Sequence, residues 1–189
     1  MKKTLLAAGL LSLLSFSSLA ADYVIDTQGA HASINFKIKH LGYSWLTGGF
    51  NQFDGKFSYD AAKPEASSVA VTIKTESFDS NHADRDKHIK SDDFLNVSKF
   101  PEAKFVSTKV ENLGDGNLKI MGDFTLHGVT NSIVIETQKV GEGKDPWGGY
   151  RAGFEGTTRI ALADYGITYD LGPASTYVEL MLNVEGIKQ

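Results

Sequence analysis

The chain has 189 residues, no cysteine, 19 Lys and Arg against 23 Asp and Glu, and a formal charge of −4. The missing cysteines exclude a disulfide framework, a thiolate metal site, a cysteine nucleophile and a lipid anchor on an N-terminal Cys. A net acidic chain without a Lys/Arg run also lacks the footprint expected for nucleic acid or an anionic membrane surface.

Met1 to Ala20 reads as a secretory signal, with Lys2 and Lys3 as its positive end, Leu5 to Phe16 as its apolar stretch and Ser18-Leu19-Ala20 as a small-x-small cleavage pattern. Cleavage after Ala20 leaves 169 residues with 17 basic and 23 acidic side chains, net −6. No later apolar run reaches the roughly 18 residues a spanning helix needs, so integral membrane insertion is not expected. Residues 21–189 are predicted to form one domain whose core is held by packing alone.

The period of this domain is two, as in half-buried strands. Ile34, Phe36 and Ile38 alternate with polar neighbours, as do Phe53, Gly55, Phe57 and Tyr59, then Val69, Val71 and Ile73. A charged stretch from Ser80 to Asn96 interrupts the alternation. It predicts a short surface helix over about residues 82–91, capped by Ser80 or Asn81, with Asp84 and Asp86 near its positive end. Alternation resumes at Phe105, continues through Leu118, Ile120, Phe124 and Leu126, then Ile133 and Ile135, and returns in Ala152, Phe154, Gly156, Thr158 and Ile160. Val178, Leu180, Leu182 and Val184 close the series, making eight amphipathic strands. Turn signals at Asn112–Asn117, His127–Asn131 and Gly141–Gly149 are short, so neighbours are expected to be antiparallel and the order a meander.

Eight such strands cover their apolar faces by closing into a barrel or by packing as a sandwich, and closure removes exposed edges. A barrel interior is either filled by its own side chains or holds one ligand. The inward-facing set that would line a ligand cavity is Phe36, Ile38, Phe57, Val71, Ile73, Phe105, Ile120, Phe124, Ile135, Ala152, Phe154, Gly156, Ile160, Leu180 and Leu182. Small residues on this face, namely Gly55, Ala103, Gly122, Ala152, Gly156 and Thr158, are read as leaving volume between the phenylalanines.

The remaining chemistry is sparse. No histidine pair has a compact metal-ligand spacing, so no metal site and no cofactor are predicted. His31 and His40 flank a strand and are expected to bond turn backbones. Asp84 to His88 reads as a solvated charged face near the mouth, since helix neighbours one or two apart diverge. No nucleophile-elbow pattern or phosphate loop occurs. Trp45 and Trp147 fall in glycine-flanked segments read as loops, where Tyr43 and Trp45 near a mouth would grip an apolar chain.

Several segments together resemble the YceI-like family of secreted bacterial proteins. They are HASINFKIKHLGYSWLTGGFNQFDG (His31 to Gly55), SFDSNHADRDKHIKSDDFLN (Ser77 to Asn96), FPEAKF (Phe100 to Phe105), GDFTLHGVT (Gly122 to Thr130) and DPWGGYRAGFEG (Asp145 to Gly156). The resemblance implies an all-β fold, an extended eight-stranded antiparallel lipocalin-like barrel. It further implies a periplasmic, homodimeric, non-enzymatic protein that holds a polyisoprenoid or similar long-chain lipid, a quinone being one candidate. No catalytic residues carry over. Two alternatives stand beside it: an enzyme acting on an amphiphile at the barrel mouth with His40, His88 or His127 as base, and a filled barrel serving as a protein-interaction module.

Overall fold

The structure, a computed structural model, describes residues 20–189. The proposed signal segment, but for Ala20, lies outside the described residues. Strands β1 (Ala21–Ile25), β2 (Ser33–His40), β3 (Ser44–Phe50), β4 (Phe53–Tyr59), β5 (Ser68–Lys74) and β6 (Phe78–Asp79) precede helix α1 (Ala83–Lys90). Strands β7 (Glu102–Gly114), β8 (Asn117–Leu126), β9 (Val129–Lys144), β10 (Tyr150–Ala161) and β11 (Tyr177–Lys188) follow it.

These strands build a closed, antiparallel, eight-position barrel, because the first six segments are three long strands, each interrupted once. β1 and β2 lie end to end along β11, through Tyr23 to Lys188 at one end and Ile38 to Val178 at the other. β4 pairs β1 while β3 pairs β2, and β5 and β6 in turn pair β4 and β3. From β7 to β11 each strand pairs the next, and β11 returns to β1 and β2. No free sheet edge runs the height of the barrel, which removes the template for edge-to-edge aggregation.

Two segments differ from their prediction. Trp45 lies in β3, paired with Lys39, and not in a loop. Gly48 and Gly49 hid this strand. A Cβ on Gly48 would lie 2.7 Å from the Phe36 ring, so the glycine is the flat seat for that phenylalanine. The helix falls where expected, with Asp84 and Asp86 in its first turn, but His82 is its cap: Nδ1 accepts from the Arg85 amide at 3.3 Å. Ser80 instead receives Arg85 Nε at 2.7 Å and donates its hydroxyl to Asp86.

The core divides into two clusters stacked along the barrel axis. One centres on Phe36, Phe78, Phe94, Phe124 and Tyr165 at the helix end, the other on Tyr23, Phe57, Tyr59, Val110 and Ala152 at the opposite end.

Candidate functional site

The barrel interior contains two apolar chambers. The lower one holds about 1060 Å³ of space unfilled by protein atoms, its opening included, and is lined by residues such as Phe57, Val71, Phe105, Ile120, Ile135, Phe154, Gly156 and Leu182. The upper one, at the helix end, holds about 1740 Å³ on the same measure and is lined by Phe36, Ile38, Phe78, Phe94, Ile160 and Val178 among others. Ile34, Ile73, Phe124 and Leu180 border both, so the chambers adjoin at a waist formed by these four side chains. A tall tunnel of this form suits an elongated apolar molecule.

Alternation along the strands places the residues. Every predicted lining residue except Ala152 borders one chamber or both. Ala152 is 0% exposed and packs within the lower cluster, where it faces no open space. The reading of small residues as vacant volume also needs correction. A Cβ on Gly122 would strike the ring of Phe105, and one on Gly55 would lie 2.7 Å from the Ala70 carbonyl oxygen and 2.9 Å from Ile25 Cδ1. These glycines are covered by neighbours. Gly156 does border the lower chamber, although a Cβ there would stand 3.0 Å from Ile135 Cγ2.

The upper rim comes largely from segments without strand periodicity. Leu162, Ile167, Tyr169 and Leu171 enter from the β10–β11 connection, and Phe94 and Leu95 from the segment after α1. Leu46 and Phe50 come from the overlooked β3. Polar groups gather at this rim: Lys39, His40, Arg85, His88 and Asp170. The charged helix is therefore at the mouth, but Arg85 is folded back, with Nη2 donating to the Ser80 carbonyl at 2.6 Å. His88 Nε2 lies 3.0 Å from Asp93 Oδ2, and its ring meets Phe94 and Tyr169 edge-on at 5.1 and 5.3 Å.

Polar groups also gather at the far end. At Gly153/Phe154 the β9–β10 register shifts by one, leaving Val140 bulged outward. The bulge brings Lys139 and Glu142 to one face, where they pair at 2.8 Å, a spacing a regular strand would forbid. Lys139 Nζ also sits 5.1 Å from the centre of the Tyr59 ring. Burial pulls the Lys139 pKa down, yet hydrogen bonding to Glu142 and the neighbouring Tyr59 outweigh it and hold the ammonium above its ordinary value. Burial, with Glu142 nearby, pushes the Tyr23 phenol up.

His31 does not bond a turn backbone as expected. Its Nδ1 lies 3.0 Å from Asp26 Oδ2, in a cluster with Glu185 whose ligand atoms lie within 4.8 Å of one another. The cation held by this cluster is Arg151, whose Nη1 reaches Asp26 at 2.7 Å and Glu185 at 2.6 Å while Nε reaches Asp145 at 3.0 Å. Those contacts make it a structural clasp.

The barrel, with its apolar tunnel and polar ends, defines a class of protein, and comparison identifies it. The chain matches the YceI-like domain over residues 23–186 and belongs to the YceI family. It is similar to a UPF0312 protein of Ectopseudomonas mendocina, with 62% identity and complete coverage of both chains. The crystal structure of the Campylobacter jejuni YCEI protein is 29% identical, with a TM-score of 0.73 over 81% of this chain and 91% of that one. A polyisoprenoid binding domain from Saccharophagus degradans shares the fold at 16% identity, with a TM-score of 0.65 over 90% of this chain and 100% of that domain. Among the described residues, no helix is long and apolar enough to cross a membrane.

Proposed function

We propose that this protein is a periplasmic carrier that holds a long-chain isoprenoid lipid along the barrel tunnel, a quinone being one candidate. The observation that carries the reading is the waist: Ile34, Ile73, Phe124 and Leu180 border both apolar chambers, and a chain that passes between them would occupy both. The shared fold with a domain named for polyisoprenoid binding supports it. Burying such a chain follows area at roughly 25 cal/mol per Å², before the entropy of association, so affinity requires no strong polar contact. The polar rim would leave the head group wet while the tail fills the tunnel. The candidate lining residues, Ala152 excepted, act in this reading through shape and apolarity.

Export after cleavage at Ala20 and a homodimeric state belong to the same proposal, both resting on the family likeness and, for export, on the N-terminal sequence. N-terminal sequencing of the exported protein and sedimentation analysis test them. The test of the main reading is lipid mass spectrometry on protein purified from its native host, with isoprenoid uptake by the emptied protein measured alongside. Recovery without lipid, together with failure to take up long isoprenoids, would refute it.

A second reading, an enzyme acting on an amphiphile at the mouth, is favoured by one observation, the His88–Asp93 pair at the rim. Replacing His88 with Asn separates the two. A carrier retains uptake, whereas an enzyme loses turnover of the bound amphiphile.

A further inference from the structure

The outer surface beside the mouth carries a feature that lipid holding does not use. Val178 pairs Ile38, Ile38 pairs Leu46, and all three line the upper chamber. One residue nearer the mouth on each strand, Tyr177, Lys39 and Trp45 therefore share the outward face. The Arg159 guanidinium lies 3.9 Å from the centre of the Tyr177 ring, and the ammonium groups of Lys37 and Lys39 lie 4.8 and 5.5 Å from that of Trp45. Lys37 pairs with Glu179 at 2.9 Å, whereas Arg159 and Lys39 form no ion pair among the described residues. Cations and aromatics are thus interleaved around one side of the rim.

Above this band the β2–β3 turn projects two large apolar side chains into solvent, Leu41 at 59% and Tyr43 at 88% exposure. Leu41 and Gly42 both hold left-handed backbone, with φ of 51° and 84°. A leucine kept in that conformation at a largely exposed tip gains little from burial within its own chain, and such strain gathers at functional positions. Leu41 also borders the upper chamber, so the exposed tip is continuous with the opening.

We infer that this hairpin and its cationic flank seat the mouth on the surface of a phospholipid bilayer containing anionic lipid. The inference rests on the lipid-carrier reading, because a long isoprenoid passing between bilayer and tunnel avoids water only if the mouth meets the membrane. Tyr and Trp prefer the headgroup level, and each Lys or Arg near an anionic surface adds to the attraction. The acidic balance of the whole chain opposes long-range attraction, but the band itself sets Lys37, Lys39 and Arg159 against Glu179 and is net positive. Protein–protein interface cores deplete lysine, whereas this band interleaves it with the aromatics, which favours a bilayer over a protein partner.

The chain supplies its own control. Trp147 is 79% exposed, and its turn joins β9 to β10 at the end opposite the mouth. The full exported chain would be mixed with phosphatidylethanolamine/phosphatidylglycerol vesicles carrying brominated acyl chains, using Trp147→Phe to isolate Trp45 and Trp45→Phe to isolate Trp147. Quenching is expected for Trp45 and not for Trp147. Lys37→Gln and Arg159→Gln together should weaken vesicle binding by roughly tenfold or more while leaving isoprenoid uptake from detergent solution intact, since neither side chain borders a chamber. Stronger quenching of Trp147 overturns the inference, as does a protein that takes up isoprenoid from detergent yet binds no vesicle. It is also overturned if the double variant dissolves a dimer and leaves vesicle binding unchanged, which assigns the patch to a second copy. Vesicle binding through Trp45 without isoprenoid uptake from either source supports docking and refutes the carrier reading instead.

Discussion

Arg151 on β10 donates to the carboxylate of Asp26 at 2.7 Å, across 125 positions of sequence. Asp26 is at the break between β1 and β2, and its side chain is only 6% exposed. The same guanidinium binds Glu185 on β11 and Asp145 in the β9–β10 turn. One cation therefore ties the interrupted first strand to the last two strands where the barrel closes.

Arg151→Met keeps most of the side chain's apolar stem and removes the guanidinium, leaving the buried Asp26 carboxylate with only His31 and the Gly29 amide beside it. The expected outcome is a melting temperature lower by roughly 5 °C or more, with isoprenoid uptake retained at low temperature. Calorimetry on the two proteins checks it, and equal transitions would mean that the clasp contributes nothing to closure.

The same contacts set the response to acid. The Arg151 hydrogen bond first, then those from His31 and the Gly29 amide, hold the Asp26 carboxyl well below its ordinary 3.8. Lys104 and Lys74 similarly pull Glu102 down to about 2. A carboxylate with a depressed folded pKa contributes stability that is fully present above its unfolded value and is lost as pH falls toward the folded one. Stability to urea should therefore be nearly flat with respect to these two groups from neutral pH to about 5, then fall between pH 4 and 2. Arg151→Met should show a shallower fall over that lower range. Parallel curves for the two proteins would remove Asp26 as the responsible group.

Leu180 stands at the waist and Gly156 on the wall of the lower chamber. Leu180→Trp should narrow the passage, so that short isoprenoids still bind in the upper chamber while long ones lose affinity. Gly156→Phe should reduce uptake of long chains from the other side of the waist, provided the Ile135 methyl 3.0 Å from the new Cβ gives way. Uptake measured across an isoprenoid length series, with far-ultraviolet circular dichroism confirming the fold, distinguishes blocked space from a collapsed barrel. Length-independent losses would place the ligand outside the tunnel.

The parts of this architecture that were legible in sequence are those that repeat. Where alternation is sustained, as in Ala152 to Ile160 or Val178 to Val184, the strands and their inward faces follow from period two alone. β3 was hidden because Gly48 and Gly49 contribute no side chains to the pattern. The upper rim was hidden because Leu162 to Leu171 includes a 3₁₀ turn and irregular backbone, whose residues reach the chamber through tertiary packing. The Arg151 cluster was invisible for another reason: its partners at Asp26, Asp145 and Glu185 meet only when the barrel closes.

Gly122 shows how the same alternation misleads about volume. It pairs Ser107 on β7, and the Phe105 ring lies across its Cα, so a residue read as space is instead the seat of an aromatic side chain. Gly122→Ala would force that ring and the nearby Val106 carbonyl, 2.6 Å from the new Cβ, to move. Overpacking of this kind costs about 1–3 kcal/mol. Denaturant unfolding should show that loss with an unchanged m-value, since the exposed area hardly alters. Because Phe105 lines the lower chamber, the displaced ring should also reduce uptake of long isoprenoids. A neutral Gly122→Ala would mean that Phe105 has another position available and that the lower chamber is larger than its present lining defines.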